Sequence, residues 1–230
     1  MHISHTKVVV LMNFSAFFSG MVFYAPVATL YRQSRGISIW QMSIIEAVSL
    51  ALMMALELPW GYISDRIGYR RTLVLSFSFL LVSKIVFFGA DSFSLFLLER
   101  ILLAIAFSAL SGVDIAYLHR CGATHKELAQ YQGCMFLGLL AVAFVFPFLA
   151  EVYAQSASLT IVSHLFALLC ILLLPRERGG GGSLRSSYGE FGKDDYYLDS
   201  EQAIAAVCLW KHHVVWHQPG SDDIIGTEVL

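Results

Sequence analysis

Charge is what this chain has least of. Of its 230 residues only 14% are Asp, Glu, Lys or Arg, against 57% hydrophobic and 13% aromatic. A soluble domain carries about 25% charged residues, so much of this chain faces something other than water. The net charge of −2, with no clustered basic surface, excludes the electrostatic footprint of a nucleic-acid-binding protein. Paired cysteines are missing too. Cys121, Cys134, Cys170 and Cys208 stand far apart, without metal-ligand or redox spacing. They read as free thiols, Cys134 and Cys170 as small apolar packing residues.

What is present is a series of long apolar runs. A membrane helix needs about 20 mostly apolar residues to cross a hydrocarbon core of about 30 Å. Six such runs are expected, at about 8–30, 37–63, 72–90, 93–118, 131–154 and 158–174. The first is uncharged, with Asn13 its strongest polar side chain. The sixth is the shortest and is closed by Pro175. Lys7 before the first run imitates a signal peptide, but that run is too long and five more follow it. The expected fold is an all-α membrane protein, a six-helix bundle over residues 1–178.

Basic residues in short loops stay on the cytoplasmic side. With both termini inside, the inner segments hold Lys7, Arg66, Arg70, Arg71, Arg120, Lys126, Arg176 and Arg178, and the outer loops only Arg32 and Arg35. Trp40 and Tyr62 lie near opposite ends of the second run, as interfacial aromatics do. The expected location is the cell membrane, multi-pass, with the bilayer itself as partner.

After Pro175 the composition changes. Arg176-Glu177-Arg178 leads into four glycines and a stretch rich in Ser, Tyr, Asp and Lys. Its longest apolar run, residues 203–210, is too short to span, and glycine runs behave as flexible linkers. Residues 179–230 are therefore expected to form a flexible cytoplasmic tail. His213 and His217 stand one helical turn apart, but nothing beside them offers further ligands, and a solvated tail is the ordinary reading. No metal and no cofactor is expected.

Each ionisable residue inside an apolar run is a functional hypothesis, since a central charge costs about 2.5–3.5 kcal/mol on insertion scales. Glu46 and Glu57 share one face of the second run, roughly 16 Å apart along a helix. That suits two stations on one water-lined side rather than a carboxylate pair. Glu99 and Arg100 are neighbours in the fourth run and face different directions. Arg100 stays charged, so burial demands a carboxylate or an anionic substrate. Lys84 lies at a similar depth in the third run, placed either to meet Glu99 or Glu46 or to snorkel to the surface. Glu46, Glu57 and Arg100 are the candidate substrate or proton site. Ala104, Ser108 and Gly112 form a small-residue stripe for close helix packing.

Between the second and third runs stands Gly61-Tyr62-Ile63-Ser64-Asp65-Arg66-Ile67-Gly68-Tyr69-Arg70-Arg71-Thr72-Leu73. It resembles the signature loop of the major facilitator superfamily, G-x-L-a-D-R-x-G-R-K-x-x-L, in its expected place. Ile63 replaces the usual Leu, and Tyr69 replaces the first basic residue after the second Gly. Glycine at 68 permits a tight turn, and glycine at 61 a close helix approach. Glu57-Leu58-Pro59-Trp60-Gly61 is similar to the E-x-P-x-G before this loop in drug/proton antiporter-like members. Ser111-Gly112-Val113-Asp114-Ile115-Ala116 is similar to the close of their fourth helix, and Arg100 resembles their buried arginine, with Ala104 in place of the usual glycine. The resemblance covers about residues 8–178. It implies the amino-terminal half of that fold and an ionic cluster, for which Gly61, Asp65, Arg66, Gly68, Arg70 and Asp114 are the residues here.

The implied function is secondary transport of a small molecule, with proton-coupled efflux as the antiporter reading. One bundle stands here where the family uses two, so the chain is either truncated and non-transporting, or pairs with a second six-helix half or with itself. An enzyme is not expected. The remote alternative is an intramembrane serine protease of the rhomboid type, carried by Ala109-Leu110-Ser111-Gly112 and His164. Its first glycine is missing, and Ser111 falls late in its helix, away from the free N–H groups that an oxyanion needs.

Overall fold

Apolar sequence in hydrocarbon must satisfy its backbone internally, which leaves helices as the economical solution. The computed structural model describes residues 5–145 and 153–175, and every regular element among them is helical. The elements are α1 (His5–Gly20), a 3-10 turn (Ala25–Val27), α2 (Ala28–Ser34), α3 (Ile39–Ile67), α4 (Tyr69–Phe88), α5 (Phe93–Leu110), α6 (Val113–Arg120), α7 (His125–Val145) and α8 (Tyr153–Leu172). Five stretches among the described residues are long and apolar enough to cross a membrane: His5–Ser34, Ile39–Ile67, Tyr69–Phe88, Phe93–Arg120 and His125–Val145. A shorter apolar helix, Ser156–Leu172, follows them.

Local chemistry sets several boundaries. Ser38 and Gln41 close a reciprocal capping box at the start of α3, satisfying two orphan backbone donors. Thr124 and Glu127 do the same before α7. Gly68, at φ +90°, ends α3 and admits α4 at the next residue. A side chain there would face the left-handed penalty. The tight turn expected at Gly68 is thus present.

The first and fourth spans, read as single runs in the sequence, are both broken. The first opens between Gly20 and Ala25, the fourth at Ser111-Gly112, where Gly112 takes φ +73°. A break frees backbone groups that must be satisfied again. In the first span α8 does this. The Thr160 hydroxyl accepts from Phe23 N at 3.0 Å, and the Ser163 hydroxyl donates to Met21 O at 2.9 Å. Small polar residues in the sixth run are therefore the splints of the first.

Helices α4 and α5 pack along each other, α1 lies against α7 and α8, α3 against α5, and α4 also against α8. Ala104 and Ser108 are buried on α5, and Ser76 of α4 donates to Ala106 O at 2.6 Å across that contact. The close backbone approach expected at Gly61 is absent: a Cβ there would meet nothing within 4 Å. It occurs instead where α1 crosses α7. A Cβ on Gly20 would strike the carbonyl of Met135, and one on Gly138 the carbonyl of Phe17. Small-residue crossings of this kind let membrane helices gain contact without a hydrophobic drive.

Candidate functional site

The two ends of the bundle each hold charged side chains. At one end lie the α2–α3 and α4–α5 junctions; at the other lie Gly68, Arg120 and the end of α8. The Arg32 end is the denser. Arg32 projects from α2 and is only 4% exposed. Its Nη1 lies 3.4 Å from Glu46 Oε1 on α3, and its Nη2 3.3 Å from Glu99 Oε2 on α5. Arg100 closes the ring, with Nη2 at 2.7 Å from the same Glu46 oxygen and Nε 3.5 Å from the same Glu99 oxygen. Each carboxylate thus offers one oxygen to both guanidiniums.

The sequence accounts for the convergence. Glu46 sits two turns into α3, and Glu99 and Arg100 nearly two turns into α5, so they meet at one depth where the two helices pack. Adjacent side chains on α5 diverge. Glu99 accordingly turns inward, 1% exposed, while the Arg100 side chain keeps 24% exposure and that of Glu46 33%. Ser49, one turn beyond Glu46, donates to Arg100 O at 3.2 Å and ties α3 to α5 beside the cluster.

Aromatic rings wall the other side. The Arg32 guanidinium carbon stands 5.6 Å from the Phe87 ring centre and 5.7 Å from that of Phe96, within cation–π range. Tyr24 stacks on Phe87 with centres 4.1 Å apart. Lys84 is buried, and its Nζ donates to the Tyr24 hydroxyl at 3.1 Å while lying over the same ring. It does not snorkel, and among the described residues it bonds no carboxylate. In this apolar shell each ion pair acts in a lower dielectric than at a wet surface.

Of the candidate substrate or proton residues, Glu46 and Arg100 are therefore brought together. Glu57 is not: it lies three turns along α3, exposed, accepting from the Ser111 hydroxyl at 3.0 Å. The same contact occupies the serine of the protease reading. His164, its proposed base, is buried on α8 against Thr160 O at 2.9 Å and the Ser163 hydroxyl at 3.3 Å. Arg32, which the sequence places in an outer loop, is the member of the ring that no sequence pattern singles out. Its position past an uncharged run gave no signal, because only the break in the first span makes Ala28–Ser34 a separate helix.

The signature loop is arranged differently from the expected ionic cluster. Arg70 Nε donates to Leu174 O at 2.6 Å and its Nη2 to Leu172 O at 2.8 Å. It thereby caps the carboxyl end of α8, where a cation suits both the orphan carbonyls and the helix dipole. Arg66 lies over the Tyr62 ring at 4.4 Å. Tyr69, standing where the family has a base, is buried with Arg120 over its ring at 5.7 Å. Asp114 accepts from Ile115 N at 2.8 Å and shares a side-chain hydrogen bond with Tyr131 of α7. Asp65 Oδ1 is buried without a hydrogen-bond partner among the described residues. Among the described residues, the bonds of Arg70 and Asp114 run to these groups rather than to one another. With Tyr69 in place of a base, Asp114 takes a phenol, and Arg70 is drawn to helix-end carbonyls instead.

Among the described residues no group of three or more His, Cys, Asp or Glu is placed to hold a metal. His213, His217 and the whole 179–230 segment lie outside the described residues.

An all-helical bundle of membrane-length apolar helices, carrying paired charges inside the apolar layer, defines an integral membrane protein. The family model of the Major Facilitator Superfamily matches residues 9–212, so the chain belongs to that superfamily. The match runs past residue 178, into a segment for which the sequence reading recognised no counterpart. No curated protein matches the chain significantly. Membership supports secondary transport as the function, in a family that is generally not enzymatic.

Proposed function

We propose that this chain forms the six-span amino-terminal bundle of a proton-coupled secondary transporter, with Glu46 and Arg100 at the site that couples the ion to a small-molecule substrate. The Arg100–Glu46 contact at 2.7 Å carries the reading. A carboxylate and a guanidinium held inside a membrane layer cost free energy that only function or a strict structural need justifies. Unlike Arg32 and Glu99, this pair stays partly exposed, so an occupant reaches it. Protonation of Glu46 removes its hold on Arg100 and so changes what the site binds. Efflux in exchange for protons is the direction favoured by the similarity of Glu57-Leu58-Pro59-Trp60-Gly61 to the antiporter-like members.

The basic residues at the Gly68 end support a cytoplasmic assignment for it and for both termini, in a plasma membrane. Alternating access in this family rocks one bundle against another. Transport by this chain therefore requires a second bundle, whether a second copy or a separately encoded half. The exposed apolar faces of α3 and α7 leave room for one. The competing reading is a non-transporting fragment.

Proteoliposomes carrying an internal pH dye test the proposal. Substrate gradients drawn from a panel of organic cations, neutral compounds and organic anions are expected to move protons in the wild type. Glu46→Gln is expected to abolish that movement while leaving the protein folded. Proton movement that survives Glu46→Gln removes Glu46 from the mechanism. Transport by a strictly monomeric preparation removes the need for a second bundle, and no transport by any assembly leaves the fragment reading.

A further inference from the structure

We propose that the Arg32 end is a binding site for a small oxyanion, a carboxylate or a phosphate, seated between Arg100 and Lys84 in competition with Glu46. The inference rests on the transport reading above and names the substrate class of that same site.

Charge and hydrogen-bond inventories both point to it. The cluster and its neighbour hold three cations, Arg32, Arg100 and Lys84, against two carboxylates, Glu46 and Glu99. In their ionised forms one positive charge is left over inside an aromatic, membrane-embedded shell. An uncompensated charge there is far costlier than a paired one. Donors are in excess as well. A guanidinium has five N–H groups and an ammonium three. Arg32 spends two of its five on the carboxylates, and Lys84 donates to the Tyr24 hydroxyl. Arg32 Nε and Arg100 Nε are buried with no hydrogen-bond partner among the described residues. An oxyanion supplies both missing quantities, one negative charge and several acceptor lone pairs. A cation or a neutral donor supplies neither.

The same geometry says where it competes. Glu46 Oε1 is the single oxygen bonded by both arginines, and Glu46 is the more exposed of the two acids. It is the group that an incoming anion displaces. Glu99, buried and paired with Arg32 and Arg100, stays as the fixed counter-charge. Arg32 from α2 and Arg100 from α5 bond Glu46, Arg32 and Arg100 also bond Glu99, and Lys84 from α4 bonds Tyr24 from the break in the first span.

The test is calorimetric titration of the full chain in phosphatidylcholine nanodiscs with benzoate and, separately, with inorganic phosphate. Nanodiscs containing phosphatidylglycerol form a further arm. The expected result is saturable binding of at least one soluble anion. Arg100→Gln and Lys84→Met should each weaken it about tenfold or more, the worth of a charge-assisted hydrogen bond. Glu46→Gln should strengthen it, because the internal competitor loses its charge. Loss of soluble-anion binding only in the phosphatidylglycerol discs assigns the site to a lipid headgroup phosphate, which has the same chemistry from a different source. No saturable binding in either lipid overturns the proposal, as does binding indifferent to both Lys84→Met and Arg100→Gln. Glu46→Gln keeps the test sharp should either cation variant misfold, since weaker binding in that variant also contradicts the competition. Anion binding without proton movement would sink the transport reading alone. Transport of a cation, indifferent to benzoate and phosphate, would sink this inference alone.

Discussion

The two ends of the bundle spend their charges in opposite ways. At the Arg32 end, oppositely charged side chains find one another across three helices, within 2.7–3.5 Å. At the Gly68 end, Arg70 finds carbonyls, Arg66 and Arg120 find aromatic rings, and Asp114 finds a phenol and an amide. The difference follows from supply. The Arg32 end places two acids and two arginines at one depth, on helices that pack together. The Gly68 end has lost the base that the family keeps at the position of Tyr69. Arg70 therefore settles on the unsatisfied carbonyls closing α8, and Arg66 and Arg120 on the rings of Tyr62 and Tyr69. A signature loop can keep its sequence order while its ionic partners are exchanged for helix-end and ring contacts.

The contrast breaks most visibly at Arg32. Arg32→Met leaves Glu99, whose side chain is only 2% exposed, facing Arg100 alone across the weakest contact of the ring. Removing one partner of a buried ion pair costs about 3–5 kcal/mol, because the other charge remains buried. Glu57→Gln, on α3 but at an exposed hydrogen bond with Ser111, should cost no more than about 1 kcal/mol. Reversible unfolding in mixed detergent micelles measures both. Similar losses for the two variants would mean that the buried ring is no more cohesive than a single surface contact.

Much of this was legible in the sequence, and what was not has physical causes. Apolar run length marks spans because the bilayer sets it, and the order Asp-Arg-x-Gly marked the turn at Gly68. Glu46 and Arg100 stood out because intramembrane charge is expensive wherever it occurs. Partner choice was hidden. Arg32 joins the ring only because the first span breaks, and that break is possible only because Thr160 and Ser163 lie opposite it, some 140 residues later in the chain. Lys84 reads equally well as a snorkelling residue until Tyr24 is placed beside it. Gly61 carried the motif, yet the crossing that needs glycine is made by Gly20 and Gly138, which no local pattern singles out.

Glycine gives a finer test of the Gly68 end. Gly68→Ala forces a side chain to φ +90°, where the left-handed penalty is about 1–2 kcal/mol. Gly61→Ala meets open space inside α3. There it should stabilise by up to about 1 kcal/mol, through the helix preference of alanine over glycine. The two variants therefore move stability in opposite directions within one motif. Equal losses would show that Gly61 makes a close contact after all, as the motif alone suggests.

The smallest effect is the most discriminating. Arg70 and Asp114 are expected in one ionic cluster, yet Arg70 caps α8 through Leu172 O and Leu174 O, while Asp114 is held by Ile115 N and Tyr131. Arg70→Ala releases two charge-assisted bonds to helix-end carbonyls, partly open to water, and should cost about 1–2 kcal/mol. Asp114→Asn keeps an acceptor for Ile115 N and weakens only the bond with Tyr131, so about 1 kcal/mol is expected. Because the two residues have separate partners, the losses in the double variant should add within about 0.5 kcal/mol. The same cycle on Arg70→Ala with a truncation of α8 at Leu172 should fail to add, since that truncation removes the carbonyl of Leu174. A coupling of 1 kcal/mol or more between Arg70 and Asp114 would mean that the two groups meet in the folded state being measured. The loop would then switch between an α8-capping arrangement and an ionic one.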